Sequence, residues 1–391
     1  MFHNYRMRKV IFPIASLIAA FLLIVSCAPT PRVPSSQLDT PDHHTFTGLK
    51  LLDQEKYSDA QREFELALQL DDKYSKAYIG IGLVKTYTAD FNSAWDNLEK
   101  GAKYANTDDE KLFSNVGNIR YYTQSKLEKK WLALCKDEFK EAVKIDPKNA
   151  SAHYFMGLAY KAALEFDLAS QIFTKVIELK TDHVADADIQ WKFMQKVQRA
   201  MPGTSTGKQI AVVERLTRAD AAALFMEELK IDVLYNKRTP KTFDTSFKDP
   251  EKAAAEVKPV KLTAKDIVDH PLKTDIEGVL EIGVRGLEND PKGNFQPGEV
   301  LSRGEYAMML EDVLIKVTGD NALATKYIDS KSLFPDVRSD LPYFNAIMVV
   351  TSRGIMEARD INTGEFAPLK PVAGVDALLI IRKLKEELKV N

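Results

Sequence analysis

Internal repetition constrains this chain more than any other feature. A segment that recurs at a fixed period folds as a unit and buries its apolar face against its neighbours. In the amino-terminal half the period is 34: Gly48 and Gly82, Tyr57 and Phe91, Ala60 and Ala94, and Phe64 and Leu98 are each 34 residues apart. A later unit falls in phase at Gly157, Phe166, Ala169 and Phe173. Cys135, Phe139, Ala142 and Pro147 hold the second-helix positions of the unit before it. Small residues recur where the two helices of a hairpin cross, and a bulky one recurs to plug the neighbouring gap. Gly82 and Gly157 are 75 apart, so the register slips between them, and residues near 104–130 hold an insertion or long helices. Cys135 stands where a small buried side chain is needed and reads as an inert core thiol.

The carboxy-terminal half repeats at 71. Ile276, Val279, Gly283 and Val284 return as Ile347, Val350, Gly354 and Ile355, and Gly293, Phe295 and Pro297 as Gly364, Phe366 and Pro368. Asp266-Ile267-Val268-Asp269 and Phe334-Pro335-Asp336-Val337 begin these units, and Leu301-Ser302-Arg303-Gly304-Glu305 opens a second helix in the first of them. Leu216-Thr217-Arg218-Ala219-Asp220 matches that opening at an offset of 85 and marks an earlier, degenerate unit. Thr217 and Ser302 are good N-caps, with Asp220 and Glu305 three residues on, as in a capping box. Arg218 and Arg303 then lie in a first helical turn, where a cation opposes the helix dipole unless an anion joins it. In the last unit Ser302, Arg303 and Glu305 become Ala373, Gly374 and Asp376, so cap and cation are lost. Asp290, Asn294, Asp360, Asn362 and Gly364 read as turn residues, because the spacing of a calcium loop is absent.

The 34-residue pattern resembles the tetratricopeptide repeat, over about residues 45–200 with residues 184–200 as a capping helix. That resemblance implies a helical superhelix whose concave face takes a protein partner. By register Lys76, Ile79, Leu83, Arg120, Tyr154, Leu158 and Lys161 would face it, or would be ordinary helix surface. The 71-residue pattern resembles the S-layer homology domain, over about 210–391, with full units near 264–318 and 333–388. The resemblance implies a pseudo-threefold helical bundle. It also implies that Arg218 and Arg303, with Thr217 and Ser302, line grooves for peptidoglycan or another acidic cell-wall polysaccharide. The alternative is a structural arginine paired with a nearby acid. The whole reads as all-α.

Residues 1–26 carry Arg6, Arg8 and Lys9 and then an apolar run to Val25, shorter than a membrane span and interrupted by Pro13. Ile24-Val25-Ser26-Cys27 resembles the lipobox of bacterial lipoproteins, which implies removal of 1–26 and lipidation of Cys27. Residues 27–44, rich in Pro, Ser and Thr, read as a tether. His43 and His44 fall within it. Ala28 after the cysteine leans toward the outer membrane, facing the periplasm. Loss of three cations and no acid moves the net charge of −2 to −5.

With 54 basic against 56 acidic residues there is no cationic excess, which argues against nucleic acid as a main partner. Pro202-Gly-Thr-Ser-Thr-Gly207-Lys208-Gln209 mimics a phosphate loop. It has Pro for the first Gly and Gln for the magnesium-binding hydroxyl, and residues 201–209 read as a linker. No nucleophile elbow, zinc-protease helix or Cys-x-x-Cys is present, and no cofactor or metal is expected. These readings describe a noncatalytic, lipid-anchored envelope scaffold. A pilotin-like assembly factor for a secretion, pilus or outer-membrane complex is the rival.

Overall fold

The computed structural model describes residues 32–238 and 263–389. The signal segment, Cys27 and the stretch from Phe247 to Lys261 lie outside them. Among the described residues the chain is all-α, and its strand-like pairing is limited to two isolated bridges, Thr217 to Val300 and Ser302 to Pro371. The helices form two compact bodies, Met1–Ala163 with Ile172–Ala187, and Leu164–Gln171 with Asp188–Asn391.

The amino-terminal body stacks hairpins. α1 (Pro41–Asp53) pairs with α2 (Tyr57–Leu70), α3 (Ser75–Tyr87) with α4 (Phe91–Tyr104), and α5 (Asp108–Ser125) with α6 (Trp131–Ile145). α7 (Ala150–Ala162) is followed by α8 (Phe166–Leu179). The 34-residue pattern is size complementarity. A Cβ on Gly48 would strike the ring of Phe64, one on Gly82 the side chain of Leu98, and one on Gly157 the ring of Phe173. Each plug lies 16 residues after its glycine and is at most 1% exposed. In the third hairpin Thr123 takes the glycine's place and Cys135 the alanine's, and the two touch at 3.6 Å. Thr123 follows Gly82 by 41 residues, seven more than the period. Seven residues are about two helical turns, which keeps the same face inward. The extra length sits in α5, with 18 residues where α1, α3 and α7 have 13.

The tether is shorter than its composition implied. Helix α1 starts at Pro41 on a Thr40 cap, and residues 32–40 fold onto the first hairpin. Arg32 grips Asp39 through two hydrogen bonds of 2.6 and 2.7 Å, and its N–H donates to the Gln69 carbonyl. Asp39, 6% exposed, also accepts from the Ser35 N–H and hydroxyl. His44 bridges Asp39 and Glu63 at 2.9 and 2.7 Å. Paired charges spaced along 32–44 thus override the Pro/Ser/Thr composition, and His44 is not a solvated tether residue.

The carboxy-terminal body contains α9 (Val184–Ala200) from Asp188 onward, then α10 (Ser205–Ala211), α11 (Arg218–Ala223) and its π-helical continuation Leu224–Glu228, and α12 (Ile231–Arg238). After these come α13 (Lys273–Ile282), α14 (Arg303–Thr318), α15 (Phe344–Ser352) and α16 (Gly374–Leu388). α11, α14 and α16 are the second helices of three modules. Just before each, the chain closes a ring of backbone hydrogen bonds. Leu216 donates to Val372, Val372 to Leu301 and Leu301 to Leu216, at 2.8, 3.2 and 2.9 Å. The next residue pairs extend it: Arg218 N–H donates to Glu299, Arg303 N–H to Lys370 and Gly374 N–H to Val213. Three equivalent contacts in cyclic order are a pseudo-threefold closure. It also explains the missing arginine of the third module. The Ile210 carbonyl oxygen stands where a Cβ on Gly374 would be, so no side chain fits.

Residues 201–209 are not a free linker. Thr204 caps α10, and the N–H groups of Gly203 and Thr204, with the Thr204 hydroxyl, donate to the Glu228 carboxylate at 2.9–3.2 Å. The loop that mimics a phosphate binder does hold an anion, one supplied by the protein itself.

Candidate functional site

Both capping boxes form. The Thr217 hydroxyl donates to Asp220 and accepts from the Asp220 N–H, and Ser302 and Glu305 do the same. These hydroxyls are therefore committed to the helix starts. The arginines beside them are committed too, though not to acids. Arg218 donates Nε to the Phe295 carbonyl (2.8 Å), Nη1 to Gly286 (2.5 Å) and Nη2 to Glu288 (2.8 Å). Arg303 donates Nε to Phe366 (2.8 Å) and Nη2 to Glu357 (2.7 Å). Each guanidinium lies over the phenyl ring of its Gly-x-Phe-x-Pro turn, 4.8 Å from Phe295 and 4.5 Å from Phe366. The carbonyl cluster supplies the negative potential that the helix dipole demands, so no external anion is required. Burial lowers the pKa of both arginines. The turns are braced from behind. Asp266 accepts from the Phe295 and Gln296 N–H groups, and Asp336 from those of Phe366 and Ala367. Asp290 and Asp360 cap their own turns, as their spacing suggested.

The two arginine corners differ in their surroundings. Near Arg218 the charged neighbours are Glu299, at 3.8 Å, Glu288, Glu305 and Asp266. Arg303 instead lines a groove of about 630 Å³ with Lys196, Arg199, Arg359 and Lys383, against the acids Glu357 and Asp376. Its floor is apolar, from Ile355, Met356, Val372 and Ile380. Lys196 and Arg199 come from α9, expected only as a cap on the repeats. Their separation from module residues by more than 100 positions left no pattern to find.

A second groove, about 190 Å³, lies in the amino-terminal body. Its walls are first helices of hairpins: Leu49 and Asp53 of α1, Asp109, Phe113 and Arg120 of α5, and Phe155 of α7. Of the seven groove residues read from register, Arg120 lines it, stacked 4.4 Å over Phe155 with Nε on the Tyr87 hydroxyl. Lys76 is one step away, paired with Asp109. Tyr154 lies flat against His183, ring centroids 4.6 Å apart, and His183 itself is on the wall. Leu158 and Lys161 are half-buried outside the lining. Ile79 and Leu83 are core, 0% and 1% exposed, so their placement on the face is corrected. The reason is that α3 is covered on nearly every side: nine of its 13 residues are buried, and a periodic stripe no longer marks a solvent face.

Cys135 is buried, and desolvation pushes its thiol up to about 11, well away from thiolate chemistry. His153 is buried with Nε2 on the Pro147 carbonyl, and His270 Nδ1 accepts from the Leu272 N–H. Among the described residues no cluster of His, Cys, Asp and Glu could hold a metal ion, and no helix is long and apolar enough to cross a membrane.

No family model matches the chain. It is similar to the surface-layer 125 kDa protein of Lysinibacillus sphaericus, 29% identical over 110 residues. That match covers 28% of this chain and 8% of the relative, so the chain spans a small part of that protein's length.

Proposed function

We propose that the protein is a noncatalytic scaffold of the bacterial cell envelope, lipid-anchored through Cys27. Its hairpins, resembling tetratricopeptide repeats, bind an envelope protein. Its three modules, resembling an S-layer homology domain, dock on peptidoglycan or an acidic wall glycan. The observation that carries the reading is the cyclic backbone ring at Leu216, Leu301 and Val372, the threefold closure that the module resemblance implies. The similarity to a surface-layer protein supports the same address. Anchoring at the outer membrane, facing the periplasm, follows from the lipobox and Ala28.

The test is co-sedimentation of the lipid-free chain from residue 28 onward with purified sacculi. Pelleting of the wild type that falls as salt rises supports the reading, and recovery in the supernatant at low salt counts against it. The rival, an assembly factor with both bodies binding protein, draws on one observation: the family arginines are engaged by carbonyls. It gains if sacculi do not bind while an envelope protein is retained.

A further inference from the structure

The cation-lined groove at the Arg303 corner is not made by the three modules alone. We infer that α9 completes a binding groove for a carboxylate-bearing glycan, with Lys196 and Arg199 of α9 acting together with Arg359 and Lys383 of the third module. The inference rests on the envelope-binding reading and assigns it a place and a ligand chemistry.

The argument starts from charge. Five cations face two carboxylates across the groove, in a chain whose overall charge is slightly negative. The two acids already neutralise two of the cations: Asp376 pairs with Lys196 at 2.5 Å, and Glu357 pairs with Lys383. Arg199 and Arg359 are exposed and have no carboxylate partner among the described residues. Arg303 is nine-tenths buried, and its Nη1 has no hydrogen-bond partner among the described residues. The unmatched donors are therefore guanidinium groups, whose fork geometry suits a carboxylate.

Shape and floor select the class of ligand. A volume of about 630 Å³ is within the range of small-ligand sites, ~300–1,000 Å³, so a few sugar rings fit while a folded partner does not. Ile355, Met356, Val372 and Ile380 give an apolar floor for the face of a pyranose ring. No aromatic side chain lines the groove, so the stacking platform that single-stranded nucleic acid uses is absent among the described residues. At the Arg218 corner the neighbours are acidic and repel such a ligand, which leaves one such groove on the described modules.

The experiment titrates the full chain from residue 28 with polygalacturonate at low salt, with dextran and oligothymidylate as controls. Arg199→Ala with Arg359→Ala removes two exposed cations without touching the fold's own contacts. It is expected to weaken polygalacturonate binding about tenfold. Glu357→Gln releases Lys383 and is expected to tighten binding about threefold. Unchanged affinity in the double variant, equal binding of dextran, or tighter binding of oligothymidylate would overturn the inference. The same variants are sedimented with sacculi. If the wild type and the double variant pellet equally, the groove assignment fails and wall binding stands. If neither pellets while polygalacturonate binding follows the groove charges, the groove stands and the wall reading fails.

Discussion

In α2 the ring of Phe64 fills space that Gly48 and Gly80 leave open, whereas at the start of α14 the guanidinium of Arg303 fills space ringed by carbonyl oxygens. The amino-terminal body is closed by side-chain volume. The carboxy-terminal body is closed by polar clasps: the Leu216–Leu301–Val372 ring, the two arginines, the Asp266 and Asp336 braces, and Glu311, 2% exposed, which accepts from Arg285 and Asn345. Volume complementarity tolerates insertion, since a repeat can be lengthened by two turns and still present the same face. A cyclic clasp does not, because each module must meet the next at fixed atoms. The difference shows how one chain holds both an extendable array and a closed bundle.

The sharpest way to break this contrast is to remove a plug. Phe64→Ala leaves a cavity under two glycines and should cost about 3–5 kcal/mol, read by denaturant unfolding of the amino-terminal body. A loss under 1 kcal/mol would mean that the ring is not what closes the hairpin. Arg303→Ala comes next. It strands two buried carbonyls and uncovers Phe366, and should cost about 2–4 kcal/mol in the carboxy-terminal transition. Arg303→Lys should recover little of it, since an ammonium cannot reach both oxygens. Gly374→Ala drives a methyl group into the Ile210 carbonyl and should cost about 2–3 kcal/mol, a steric loss that salt does not change.

A pH effect sharpens the comparison at the other end of the chain. Burial of His44 works against its charge, but hydrogen bonds from Glu63 and Asp39 outweigh it and raise the pKa. A raised folded-state pKa gives stability that is full below the unfolded value of ~6.5 and is lost as pH rises through the folded value. The amino-terminal transition should therefore weaken over that window, and His44→Gln should flatten the profile. The smallest effect belongs to Tyr306, fully buried on Phe225 with its hydroxyl unpartnered. Tyr306→Phe should be neutral, or stabilising by up to about 1 kcal/mol.

The hairpins were readable because glycine and its plug are local and recur. The module turns were readable because Gly-x-Phe-x-Pro and the capping box are short. The fourth and later contacts of each site were not. Lys196 and Arg199 reach the Arg303 groove only through tertiary folding. Ile79 and Leu83 were misplaced because a helix buried on nearly all sides has no polar face to count from. Residues 32–40 were misread because composition outvoted three ion pairs, each spanning from five to 19 positions.

The most direct test of the clasp account compares Arg218→Ala with wild type in two readouts, thermal unfolding and sedimentation with sacculi below the melting temperature of both. If Arg218 holds the fold, the variant melts earlier and still pellets as the wild type does. An unchanged melting temperature with lost pelleting would make Arg218 a ligand contact and contradict the account.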